Sequence, residues 1–108
     1  MVSNTADETR RAYVKSDGSL AQGSHGIQAV VKTATGTYSV TFQAFQHLPA
    51  VCAHRVLSGS HQNTLRNCLL LNLTVGSVIV VTGNKEGQPI DSDFTFLAVG
   101  AVTDPTTT

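Results

Sequence analysis

The sequence predicts an all-β domain, an antiparallel β-sandwich of jelly-roll type, with a small closed β-barrel as the alternative. Three observations carry this expectation. Short apolar runs are separated by Gly, Pro, Asn and Asp clusters at intervals of about 8–12 residues, the rhythm of strands in a sandwich. Apolar and polar residues alternate within the runs, as at Ile27, Ala29 and Val31 and again at Tyr38, Val40 and Phe42. No segment repeats its apolar residues at helical spacing. With 108 residues the chain has material for one hydrophobic core, and a fold of that size buries only about two-thirds of the surface its unfolded chain exposes.

The elements follow in order. Residues 1–9 are polar and read as a flexible tail, residues 10–102 as the domain, and residues 103–108, which include the Pro breaker of DPTTT, as a second tail. Residues 12–15 and 20–22 flank Ser16-Asp17-Gly18-Ser19, whose Asp-Gly pair tolerates the positive φ of a hairpin turn. Residues 27–33 and 38–42 are strands on either side of Thr35-Gly36, and residues 45–49 form a connection. Residues 50–57 place Val51, Ala53 and Leu57 on one face and Cys52, His54 and Val56 on the other. A polar loop, 58–66, leads to residues 67–82. Residues 83–89, rich in turn formers, precede a last strand at 93–99 with Phe94, Phe96 and Ala98 facing inward.

Residues 67–82, NCLLLNLTVGSVIVVT, differ from the rest because they are apolar on both faces. A strand with one wet face alternates. Here Leu69, Leu71, Leu73 and Val75 point one way and Leu70 the other, while residues 78–81 cover both sides. The expectation is burial by another subunit, with Leu69, Leu70, Leu71, Asn72, Leu73, Val78 and Val80 at the interface. Asn72 shares a side with Cys68 and Leu70. A buried amide there needs a partner, costs about 1–3 kcal/mol without one, and can fix register between subunits. An edge position open to water is the equal alternative.

Composition narrows the function classes. Only 13% of residues are charged, and seven Lys and Arg balance seven Asp and Glu. No net field favours nucleic acid or anionic lipid. The longest apolar runs fall far short of the ~20 residues that cross a bilayer, so no membrane span is expected. The first residues, MVSNTADETRRAY, carry no apolar signal segment; the expected location is cytoplasmic, or virion or extracellular by a route without such a signal. Two cysteines are too few for a disulfide scaffold. If residues 50–57 and 67–75 pair as a hairpin, Leu57 faces Cys68 and Cys52 faces Leu73, which puts the thiols about 15 Å apart. Two reduced, mostly buried thiols are expected, with a disulfide as the alternative under a different strand order.

The order of AYVKSDGSLAQGS, TGTYSVTF, AVCAHRVL and DFTFLAVG resembles a diffuse bacterial and phage group of small β domains with a G-T-Y-x-V-T-F strand and a terminal F-x-F-L-A-V strand. More distantly, residues 36–42 and 94–97 are similar to strands of the C1q and tumour-necrosis-factor jelly rolls. That resemblance implies a jelly roll and a homotrimer that recognises ligands through loops, and it assigns no binding residues here.

Sites for chemistry are sparse. His47, His54 and His61 recur every seven residues, which puts neighbours on opposite faces of a strand. His54 shares a face with Cys52, but two candidate ligands do not make a metal site. Gly59-Ser60-His61 has no nucleophile elbow. Asp91 and Asp93 stand two apart, a spacing open to Ca²⁺ or to acid–base work, and solvated loop carboxylates are the stronger reading. Residues 83–87 lack the ending of a phosphate loop, and Asn72-Leu73-Thr74 matches a glycosylation acceptor inside an apolar run. No metal or cofactor is expected. Loops 58–66 and 83–88 remain as contact surfaces, with Arg55, His61, Gln62, Asn63 and Arg66 as donors. The expected function is a non-catalytic, oligomeric binding or structural module, trimer favoured, for a protein or glycan partner. The alternative is a small enzyme with an intersubunit or barrel-mouth site using His54 with Arg55 or Asp93.

Overall fold

A computed structural model describes residues 5–56, 67–84 and 86–103. They form seven strands: β1 (Thr5–Val14), β2 (Ile27–Ala34), β3 (Thr37–Phe42), β4 (Ala50–Arg55), β5 (Asn67–Leu71), β6 (Ser77–Gly83) and β7 (Phe94–Thr103). The strands make two antiparallel sheets packed face to face, of order β1-β7-β4 and β2-β3-β6-β5. They do not close into a barrel. The chain changes sheet at every connection except the β2–β3 and β5–β6 hairpins.

β7 anchors the smaller sheet, pairing with β1 from Thr5↔Thr103 to Val14↔Phe94 and with β4 from Ala50↔Val99 to Arg55↔Phe94. Strand pairing thus starts within the segment read from sequence as a tail. Beyond the Gly18 turn (φ 91°), residues 20–25 pair with β1 at the isolated bridges Val14↔Leu20 and Arg11↔His25 instead of forming a strand. The hairpin expected between residues 50–57 and 67–75 does not form. β4 pairs with β7 in one sheet and β5 with β6 in the other, so the two strands that flank the polar loop meet only as neighbouring edges of the sandwich.

The core sits where the inner faces meet. β3 contributes Tyr38, Val40 and Phe42, β6 Val78 and Val80, β7 Phe94, Phe96 and Ala98, and β1 Ala12 and Val14, all buried. Each large apolar side chain there stabilises the fold by about 1.5–3 kcal/mol. Tilted aromatic pairs cross between the sheets, Tyr38 with Phe94 at 5.1 Å and Phe42 with Phe96 at 5.8 Å. Phe45 plugs one end, its ring lying where a side chain on Gly100 would stand. The guanidinium of Arg10, only 2% exposed, stacks over that ring at 4.6 Å. It also pairs with Glu8 at 2.6 Å and donates from Nε to the Gln43 carbonyl. The alternation that turns Ala12 and Val14 inward turns Arg10 inward too, and these partners compensate its charge.

Candidate functional site

The polar candidates split between the two faces of the strands. Arg55 faces inward beside Phe94 and donates from Nη1 to the Gly83 carbonyl at 2.6 Å, tying β4 to the end of β6. It joins the sheets instead of reaching out from a loop. His61, Gln62, Asn63 and Arg66 lie outside the described residues. His54 is exposed on the outer face beside Thr95, on the opposite side of β4 from Arg55. Strand alternation therefore separates two of the residues grouped in the enzyme alternative. His25 and His47 are also exposed, and among the described residues no cluster of three His, Cys, Asp or Glu could hold a metal ion. No helix among them is long and apolar enough to cross a membrane.

Asp91 and Asp93 face different partners. Asp91 accepts the Gly36 amide at 2.7 Å and pairs with Lys32 at 2.6 Å. Its carboxyl is held below the usual range, first by the Lys32 ammonium and then by the Gly36 amide, and Lys32 is raised in return. Asp93 accepts the Tyr13 hydroxyl and the Ser16 amide, each at 2.8 Å. That bond to Asp93 is the main reason the Tyr13 phenol is shifted up. The two carboxylates fasten residues 86–93 across the end of the sandwich. Thr82 adds a bond from Oγ1 to the Ile90 carbonyl at 2.5 Å, and the Tyr38 hydroxyl donates to the Ser16 carbonyl at 2.7 Å. Gly36 (φ 64°) has Ile90 and Thr82 backbone atoms 2.7–2.8 Å from where a Cβ would sit.

Both cysteines are free. Cys52 is exposed on the outer face of β4, contrary to the expected burial, because β4 covers the core with Val51 and Ala53 instead. Cys68 is half-buried, and desolvation pushes its thiol up to about 11 against the opposing influence of Arg55.

The ribbon at residues 67–82 divides its apolar residues between two environments. Val78 and Val80, expected at an interface, are buried in the chain's own core, and Leu70, Leu73 and Cys68 pack against it. Leu69 and Leu71 point out, 57% and 40% exposed, opposite Val81 and Ile79 of β6. Asn72 follows β5 with a positive φ of 54° and is exposed in a turn, and Leu73 beyond it packs against the core. A second apolar surface, missed in the sequence, covers the outer face of the other sheet. There Leu97 and Val99, 39% and 37% exposed, lie beside Cys52 and Ala50 around a shallow hollow of about 160 Å³. The alternation of Phe94, Phe96 and Ala98 already marks Leu97 and Val99 as outward and apolar.

A separate cleft of about 450 Å³ beside Arg10, Glu8, Gln43 and Gln46 has its buried charge already compensated. Against known proteins, no family model, curated protein or solved structure matches this chain.

Proposed function

We propose that the chain is a non-catalytic module that works as a closed homo-oligomer, a trimer by preference, and presents its polar loops to a protein or glycan partner. One observation carries the reading. Leu69 and Leu71 stand in water beside Ile79 and Val81, and a contiguous apolar patch on a strand face marks an interaction surface. In a protein this small, covering the patch adds burial that a single core cannot supply. The similarity of residues 36–42 and 94–97 to C1q and tumour-necrosis-factor jelly rolls supports the trimer.

The interface belongs to Leu69, Leu71, Ile79 and Val81, because Val78 and Val80 are consumed within the chain itself. The segment offered to a partner is the turn that follows β6, and the sequence candidates His61, Gln62, Asn63 and Arg66 lie outside the described residues. Sedimentation velocity tests the assembly. The unaltered protein sediments as an oligomer, whereas L69T/L71T sediments as a single chain with the same far-UV circular dichroism. Identical sedimentation of the two proteins would remove the patch from the interface.

A further inference from the structure

We infer that the cleft beside Arg10 binds a small carboxylate that also carries hydroxyl groups, of the size of a uronic acid, and that Glu8 occupies the place of the ligand's carboxylate in the empty cleft. The site shares no residue with the Leu69 patch. It therefore stands or falls independently of the oligomer.

Arg10 is held ready for an anion. Its stem runs where a side chain on Gly26 (φ 74°) would stand, its guanidinium lies over the Phe45 ring at 4.6 Å, and Nε donates to the Gln43 carbonyl at 3.1 Å. A side chain fixed in this way loses little rotamer freedom on binding. Glu8 compensates the charge but does not fill the fork. Nη1 donates to Glu8 at 2.6 Å and to the Thr9 carbonyl at 3.2 Å, while Nη2 has no partner among the described residues. A guanidinium and a carboxylate are best matched through two parallel bonds. Glu8, reaching from the same strand, makes one.

Glu8 is also replaceable. Its side chain is 49% exposed against 3% for Arg10, so it turns into water at little cost, whereas the buried guanidinium must keep a counter-charge. The cleft measures about 450 Å³, within the range of small-molecule sites. Gln43 and Gln46 line it as exposed residues whose side-chain amides bond nothing among the described residues. An amide both donates and accepts, which suits hydroxyl groups. Arg10 is the one cation among the described lining residues, so a monoanion matches the cleft better than a phosphate dianion.

NMR titration of the isotope-labelled protein with glucuronate tests the site, with glucose and with sodium chloride at equal ionic strength as controls. Glucuronate is expected to give saturable shifts at Glu8, Gln43 and Gln46 that neither control reproduces. E8Q withdraws the competing charge and keeps the shape, and should bind glucuronate about tenfold more tightly. Q43A/Q46A alters only exposed side chains and should bind about fivefold more weakly, with an unchanged melting temperature. Equal shifts with chloride would overturn the inference, as would an E8Q chain that binds no tighter than the unaltered protein. Should E8Q fail to fold, undiminished binding by Q43A/Q46A overturns it instead. A hyaluronan tetrasaccharide, which holds the same acid within a glycan, separates the sources. Tighter binding than free glucuronate assigns the site to a glycan, and equal or weaker binding to the free acid.

Discussion

The ribbon at residues 67–82 and the strap at residues 86–93 are neighbours in sequence, and they are held by opposite means. The ribbon is secured by apolar alternation, with Val78, Val80 and Thr82 sealed inside and Leu69 and Leu71 left outside. The strap holds through hydrogen bonds from distant segments. Asp91 takes the Gly36 amide, Asp93 takes Ser16 and Tyr13, and the Ile90 carbonyl takes Thr82. The difference separates two kinds of surplus. The carboxylates of the strap find donors within the chain, whereas Leu69 and Leu71 of the ribbon find no apolar cover there.

The comparison breaks most visibly at the core that both regions cover. F94A removes a fully buried ring that pairs with Tyr38 and is expected to cost about 3–5 kcal/mol, read as a fall in denaturant midpoint. G36A comes next. It puts a methyl group into Ile90 and Thr82 backbone at a positive-φ position, with an expected loss of about 1–3 kcal/mol. A loss under half a kcal/mol there would mean that the strap is not pinned against the β2–β3 turn. D93A strips acceptors from Tyr13 and Ser16 and is expected to cost about 1.5 kcal/mol, without altering oligomer mass.

Much of this architecture is legible in the residues. The inward set of β3 and β7 can be read from the strict alternation of Tyr38, Val40, Phe42 and Phe94, Phe96, Ala98, because a sandwich strand has one dry face. The separation of β4 from β5 into different sheets is not legible. Residues 50–57 and 67–75 look like hairpin partners in sequence, yet each is claimed by a strand later in the chain, and strand periodicity carries no information on which partner wins. The roles of Asp91 and Asp93 are hidden for a related reason, since their donors lie tens of residues away. Cys52 was misplaced with β4. At the surface, the outward leucines of β5 were visible, but Leu97 and Val99 were overshadowed by the phenylalanines between which they alternate.

Smaller effects sharpen the contrast. The Lys32–Asp91 pair is largely exposed, with Asp91 shifted down and Lys32 shifted up. A carboxylate depressed in the folded state stabilises above its unfolded pKa and loses that contribution as pH falls through the folded one. A raised lysine stabilises below its unfolded pKa and loses it as pH rises through the folded one. D91N should therefore melt slightly below the unaltered protein at neutral pH, and the gap should begin to narrow as pH falls past the ordinary aspartate value of 3.8 and close once pH has fallen through the lower folded-state value. The least disruptive probe is thiol alkylation at pH 8 in the L69T/L71T chain. Cys52 should react at an ordinary rate and Cys68, with its pKa near 11, far more slowly.

The central claim is that the apolar surface left over by this sandwich is covered by further copies of the chain. Light scattering on the eluting peak of the unaltered protein at low micromolar concentration measures that directly. The expected molar mass is three times the 11.4 kDa of one chain. A single peak at the mass of one chain, with Leu69 and Leu97 both in water, would contradict it.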